Sequence, residues 1–419
     1  MGNCKLLFCL LTVILLFSCG SSSNKSAGES VNNAEVIMNK PTEQGSIGSM
    51  DIPVPEFFWM LQPWKKGTLA TMDGNARFAE IVFSGESSFR VRPLVDFPKN
   101  RIDKSLVVAH EGNLCIVNSS WRFYVADVAE KRTKEYMPQG GWKWTEMSPV
   151  VLDAENQIIV FKYYVSSDYE DEPNSQPRYN IIYDMKNDKE LYKSPDAGEA
   201  LAFYFPINTE TFLAINIAKN NAQSEYVFYN WKTKEITRND LTKQITAVAG
   251  QSTSMTIGKN RNINMEERYF FGDILGKKIK ITWDEKYEDV KVIPLDYLIP
   301  KGKRFDDIIF SSDYKWATTL VGGYSGMFGE SLYKRAFFHM DELYPNGISM
   351  PIFNEEYEEY YSARGHFVEH PVHGWCYADE IWSKATGTRK QFLRLYKMKD
   401  VDDEITRILL ERADARLKQ

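Results

Sequence analysis

The densest gathering of side chains able to do chemistry runs Gly365-His366-Phe367-Val368-Glu369-His370-Pro371-Val372-His373, with Cys376, Asp379 and Glu380 close behind. It holds three of the chain's five histidines. Imidazole and carboxylate groups bind zinc and other transition metals, so the chemistry to test is metal coordination, with a metal-dependent hydrolase or lyase behind it. The spacing fits no established ligand motif. Pro371 also prevents one helix from presenting His366, His370 and His373 together. On a strand, His366 and His370 share a face and His373 points the other way. The favoured reading is a polar loop with a strand and no metal, and these three histidines are the candidates should a metal be bound.

Other groupings are weaker still as chemistry. Asp168-Tyr169-Glu170-Asp171-Glu172-Pro173 and Glu355-Glu356-Tyr357-Glu358-Glu359-Tyr360-Tyr361 pack like charges closely, as solvated connections do. Gly322, Gly323, Gly326 and Gly329 form a glycine-rich stretch between two expected strands. It lacks the lysine of a phosphate-binding loop and the strand-to-helix setting of a dinucleotide fingerprint, so a long turn is expected. Gly323-Tyr324-Ser325-Gly326-Met327 lacks the second glycine of a nucleophile elbow, and His110-Glu111 has no histidine four residues after the first. No catalytic residue is assigned. Trp142 and Trp144 would share one side of a strand, and with 10 Trp, 23 Tyr and 24 Phe most rings are expected in a core.

The elements that must position these groups read as strands. From Phe57 onward, short runs of Val, Ile, Tyr, Phe and Trp alternate with Asn, Asp, Gly and Lys punctuation, which is an all-β pattern. A hairpin recurs at Arg122–Tyr136, Tyr179–Tyr192, Glu225–Ile236, Glu267–Ile281, Arg335–Ile352 and Gln391–Ile408. Aligning Asp127, Asp184, Asn230, Asp273, Asp341 and Met398 gives irregular steps centred near the roughly 40–50 residues of one four-stranded propeller blade. Each hairpin is then an outer pair. Inner pairs are expected at Leu106–Asn118, Val150–Tyr164, Leu201–Ile217, Ile245–Ile257, Ile308–Val321 and Phe367–Trp382.

Phe310-Ser311-Ser312-Asp313-Tyr314-Lys315-Trp316-Ala317 resembles the Ser-Pro-Asp-Gly-Lys-Trp turn of TolB-like propellers, with Tyr314 in place of the glycine. Glu111-Gly112-Asn113-Leu114-Cys115-Ile116-Val117 resembles the strand start of NHL-type blades, and Asp153–Val160 echoes it. Taken with Leu16-Phe17-Ser18-Cys19, where a small residue stands directly before a cysteine as a lipoprotein processing site needs, these turns make the chain similar to the six-bladed TolB-like propeller lipoproteins of Bacteroidetes, a likeness spanning residues 105–410 in rhythm. It implies six four-stranded blades, with seven as the alternative. Arg77–Phe83 and Ser88–Leu94 would supply the closing strand or a seventh blade, and closure is favoured. Closure would set the first and last blades side by side, as a Cys115 to Cys376 bridge would need. Two buried thiols are the favoured reading. Ile405, Ile408 and Leu409 have helical spacing, so Val401–Gln419 is expected as a strand ending in a short helix.

At the other end of the chain, Lys5 precedes an apolar run from Leu6 to Phe17, and Ser18 precedes Cys19. That is a lipoprotein signal over residues 1–18, too short to span a membrane, with Cys19 carrying the lipid. The composition of residues 19–50 suits a disordered tether, leaving 51–419 as one propeller domain. Gly20, Ser21, Ser22, Ser23 and Asn24 lack the acidic cluster that resembles a Bacteroidetes surface-export signal, so an outer-membrane lipoprotein facing the periplasm is expected. With 51 basic and 57 acidic residues, nothing recommends a nucleic-acid partner. No cofactor is expected beyond the lipid on Cys19, and the lipid is the expected membrane attachment. The function expected is binding or scaffolding of an envelope protein, peptide or glycan; a periplasmic hydrolase or lyase with a channel site is the alternative.

Overall fold

The structure, a computed structural model, describes residues 46–418 except 55–57, 66, 74–75, 99–106, 120–121, 137–149, 165–177, 195–200, 217–224, 250–255, 258–262, 275–276, 296–303, 306–307, 324–331, 342–343, 345–346, 356–357, 360–364 and 384–389. These residues form seven sheets in chain order, antiparallel but for one added edge strand, each a four-stranded meander or an elaboration of one. The first runs Phe58–Pro63, Leu69–Asp73, Arg77–Phe83 and Phe89–Asp96. The last holds His366–His370, Gly374–Ser383 and Lys390–Lys397. Its fourth strand is Met50–Pro53, from the other end of the chain, pairing Met50 with Leu395 and Pro53 with Phe392. The architecture is a seven-bladed β-propeller.

Seven blades replace the six favoured from sequence. The residues read as a closing strand, Arg77–Phe83 and Ser88–Leu94, belong to a complete first blade, because Phe58–Pro63 and Leu69–Asp73 supply its inner pair. Closure falls instead to Met50–Pro53, fixed by the bidentate bond from Arg394 to Asp51. Beside it, Ser46–Ile47 adds a parallel strand to the outer edge of blade six, opposite Phe353 and Asn354. Strand structure thus begins inside the 19–50 stretch whose composition suggested a tether.

Sheets stack through both faces, which explains the unbroken apolar runs of their central strands. In Ile158–Tyr164, Ile159 and Phe161 pack toward blade two with Leu114 and Ile116, whereas Val160 packs toward blade four with Phe203, Phe212 and Val227. Such a strand cannot alternate polar with apolar. Cys115 lies in the layer between blades one and two, and Cys376 between blades seven and one. Both are free and buried. A full blade separates them, and burial pushes the Cys376 thiol up to about 12.

Connections at the two ends of the ring differ. Turns joining first to second and third to fourth strands share one end, here the turn end, and several are built alike. Asp127, Asp153, Asp184, Asn230 and Asn264 each accept backbone N–H bonds from residues two or three further on. Four residues after each, Lys131, Gln157, Asp188, Lys234 and Arg268 take φ between +53° and +64°. Tyr314 does the same at +55° where the resembling turn has glycine. Its hydroxyl bonds the Ile263 carbonyl and its ring meets Tyr269 and Phe310, which offsets the strain. At the opposite, crossover end lie the ends of the second and fourth strands and the starts of the first and third.

Two helices complete the fold. The first, α1 (Leu241–Ala249), packs on the strands Glu225–Asn230 and Val290–Pro294, where inner-strand residues were expected from Ile245. The inner strand of blade five is split into Thr256–Ile257 and Ile263–Asn264, so the hairpin Glu267–Ile281 is its second and third strands rather than its outer pair. The second, α2 (Met398–Leu417), starts directly after the third strand of blade seven, at the turn end. Val401, Ile405 and Ile408 enter the layer between blades six and seven, and Asp402 accepts a bond from Trp316 Nε1 at 3.0 Å. A long helix thus stands where a strand with a short helix was expected. The missing outer strand is the one supplied by Met50–Pro53.

Candidate functional site

The histidine cluster forms the inner hairpin of blade seven, and its register spreads the histidines apart. His366 pairs with Ala378 at the crossover end of its strand, and His370 pairs with Gly374 at the turn end. Four residues of strand, about 13 Å, separate the two. Both are buried, at 8% and 1% exposure. They share a face, as alternation requires. His373 does not point the opposite way as expected, because the strand stops at His370 and the turn folds the His373 ring back onto it, 4.7 Å between centroids at 21°.

His370 is committed to that turn. Its Nδ1 accepts the backbone N–H groups of Val372 and His373, both at 3.2 Å, and Phe83 of blade one packs on the ring at 4.8 Å. Accepting at Nδ1 places the proton of a neutral ring on Nε2. That Nε2, like the His373 Nε2, is buried without a hydrogen-bond partner among the described residues. Burial, then His373 and Lys397, hold the His370 pKa below its ordinary value. In this state His370 offers a metal an N–H and not a lone pair. Among the described residues no three His, Cys, Asp or Glu side chains are grouped to hold a metal ion.

The carboxylates of the cluster diverge as well. Asp379 and Glu380 are neighbours in a strand and therefore enter opposite layers. Asp379 faces blade six, where Arg335 Nη2 donates to its Oδ2. Arg335, 1% exposed, lies with its guanidinium 4.6 Å from the centre of the Tyr377 ring, and its backbone N–H donates to Asn354 Oδ1 at 2.9 Å. Glu380 faces blade one and accepts from Gln391 Nε2 at 2.6 Å. At Gly365 a Cβ would come within 2.5 Å of the Tyr377 ring and the Ala378 carbonyl, so only glycine fits. The Arg335–Asp379 pair joins blades six and seven, and the Gln391–Glu380 bond ties two neighbouring strands of blade seven. Sequence reading passed over Arg335, Asn354 and Gln391, although a charge inside the apolar strand Leu332–His339 signals a buried partner.

Among the remaining groupings, Gly322 and Gly323 end the strand Trp316–Gly323, and Glu358–Glu359 pairs with Leu332–Tyr333. Cys19, Trp142, Trp144, Gly326, Gly329 and Asp168–Pro173 lie outside the described residues.

No protein-family model matches the chain, and no curated protein matches it. Solved structures do. An oligogalacturonate lyase in complex with manganese aligns with a TM-score of 0.50 at 8% identity, covering 85% of this chain and 98% of the lyase. The CNH domain of AfRom2 aligns at a TM-score of 0.42 and 10% identity, over 84% of this chain and 99% of that one. The extracellular domain of a putative hybrid two-component system from B. thetaiotaomicron gives 0.42 and 10%, over 84% of this chain and 43% of its own. At such identities the likeness is one of fold.

Proposed function

We propose that the chain is a lipid-anchored envelope propeller that binds a protein, peptide or glycan through the crossover end of its ring. The observation behind this reading is the asymmetry of the connections. Short Asx-capped turns recur at the turn end, whereas the sequence between the strand ends Tyr136 and Val150, and between Tyr164 and Arg178, all at the crossover end, is long. Rigid blades with unequal connections at one end are how a scaffold presents a recognition surface. Those stretches of sequence include Trp142, Trp144 and the acidic run Asp168–Glu172, residue types that stack on sugars or meet basic groups. The alternative, a hydrolase or lyase built on His366, His370 and His373, draws no support from their placement.

The test is capture of envelope components by the lipidated chain, repeated after residues 165–177 are replaced by a short Gly-Ser turn. Expected is loss of the captured partner with unchanged thermal unfolding. Retention by that variant, together with loss on charge reversal at Lys131 and Lys234 of the turn end, would overturn the assignment.

A further inference from the structure

The turn end has a surface of its own. Four large apolar side chains stand exposed among the described residues: Leu417 at 85%, Val372 at 52%, Leu410 at 43% and Met265 at 40%. All four belong to the turn end. Met265 lies in the first turn of blade five, Val372 in the first turn of blade seven, and Leu410 and Leu417 on α2. On that helix they are seven residues apart and share a face. The helix charges nearer its start are matched internally, Lys399 with Asp403 and Arg407 with both Glu404 and Glu411. Its last turn places the exposed Leu417 between Arg416 and Lys418, an apolar side chain flanked by two cations.

The direction of the first strands shows at which end the chain enters the ring. Ser46–Ile47 runs parallel to Ile352–Asn354, and Met50–Pro53 runs antiparallel to Lys390–Lys397. Both directions lead from the turn end toward the crossover end, so the chain before Ser46 joins the ring at the turn end. That preceding chain contains Cys19, the residue read as lipid-bearing.

We infer that the turn end of the ring rests on the membrane surface that holds the chain's lipid, through Leu417, Leu410, Val372 and Met265, with the crossover end facing away. This rests on the lipid-anchor reading above. Leucine flanked by Arg and Lys suits the boundary between acyl chains and phosphate headgroups. Single apolar side chains bind a bilayer feebly from free solution, but a tether to the same membrane raises their local concentration and makes weak contacts sufficient.

The experiment uses the full lipidated chain in vesicles of phosphatidylethanolamine and phosphatidylglycerol. An environment-sensitive fluorophore is attached through Leu417→Cys, Val372→Cys or, at the crossover end, Lys193→Cys or Glu225→Cys. Cys115 and Cys376 are buried and do not compete for the label. Quenching by nitroxide-bearing lipid is expected to be several-fold stronger at positions 417 and 372 than at 193 and 225. Equal quenching at both ends, or stronger quenching at 193 and 225, overturns the inference. So does a turn end shielded from aqueous iodide in native envelopes yet unquenched by the lipid probe, which marks a protein covering it. Flotation with the vesicles and the mass of the lipid on Cys19 are read on the same samples. A chain that floats but fails the quenching test loses only this inference, whereas one that is never lipidated loses the anchor as well.

Discussion

Replacing Asp379 with alanine takes from Arg335 its carboxylate partner in the layer between blades six and seven. The two side chains are 1% and 2% exposed, so the guanidinium left behind has little water to turn to. Breaking a buried ion pair by removing one partner costs about 3–5 kcal/mol. With an unfolding entropy near 2.1 cal/mol/K per residue, a ring of roughly 370 residues unfolds with about 0.8 kcal/mol/K, so Tm should fall by about 4–6 °C. Removing both partners as Arg335→Met with Asp379→Leu leaves no charge behind, and most of the loss should return. Scanning calorimetry and guanidinium unfolding of the two singles and the double close the cycle. A loss below about 1 kcal/mol for Asp379→Ala, the worth of an exposed ion pair, or a double no more stable than either single, would refute the claim that this pair is a dry joint.

The His370 pKa lies below that of an unfolded histidine, so the unfolded chain binds the extra proton first. Stability is therefore whole above about pH 6.5 and declines as pH falls through that value toward the folded pKa; His370→Gln should flatten the decline in Tm between pH 7 and 5. Lys131 and Lys234 are exposed at positive φ, and changing either to glycine should raise stability by about 0.5–1 kcal/mol in denaturant titration, the strain relieved less the added freedom of the unfolded chain. Cys115 and Cys376 should resist a thiol reagent in native protein and react in guanidinium, and native reactivity at either would show that its layer is open.

How far the sequence spoke depends on the distance between the residues concerned. Hairpins such as Tyr179–Tyr192 are local, because Asp184 and Asp188 build the turn and flanking side chains set the register. The inner pair of blade one was missed because Phe58–Pro63 and Leu69–Asp73 are divided by a turn that packs against Glu369, more than 300 residues away in sequence. The same holds for closure. Met50–Pro53 is four residues with one buried side chain, Ile52, and only its partner strand makes it a strand. In the histidine cluster, alternation foresaw the shared face of His366 and His370. The return of His373 depends on a turn bonded to His370 Nδ1, which spacing alone does not encode.

Photo-crosslinking in the native envelope tests most directly the claim that the ring recognises its partner at one end. A benzophenone side chain placed at Lys193 or Glu225 at the crossover end, and at Lys131 or Lys234 at the turn end, reports what lies beside each. Adducts to a protein or glycan from 193 and 225, with none from 131 and 234, are the predicted result. The same adduct formed from the turn-end positions and absent from the crossover end would contradict it.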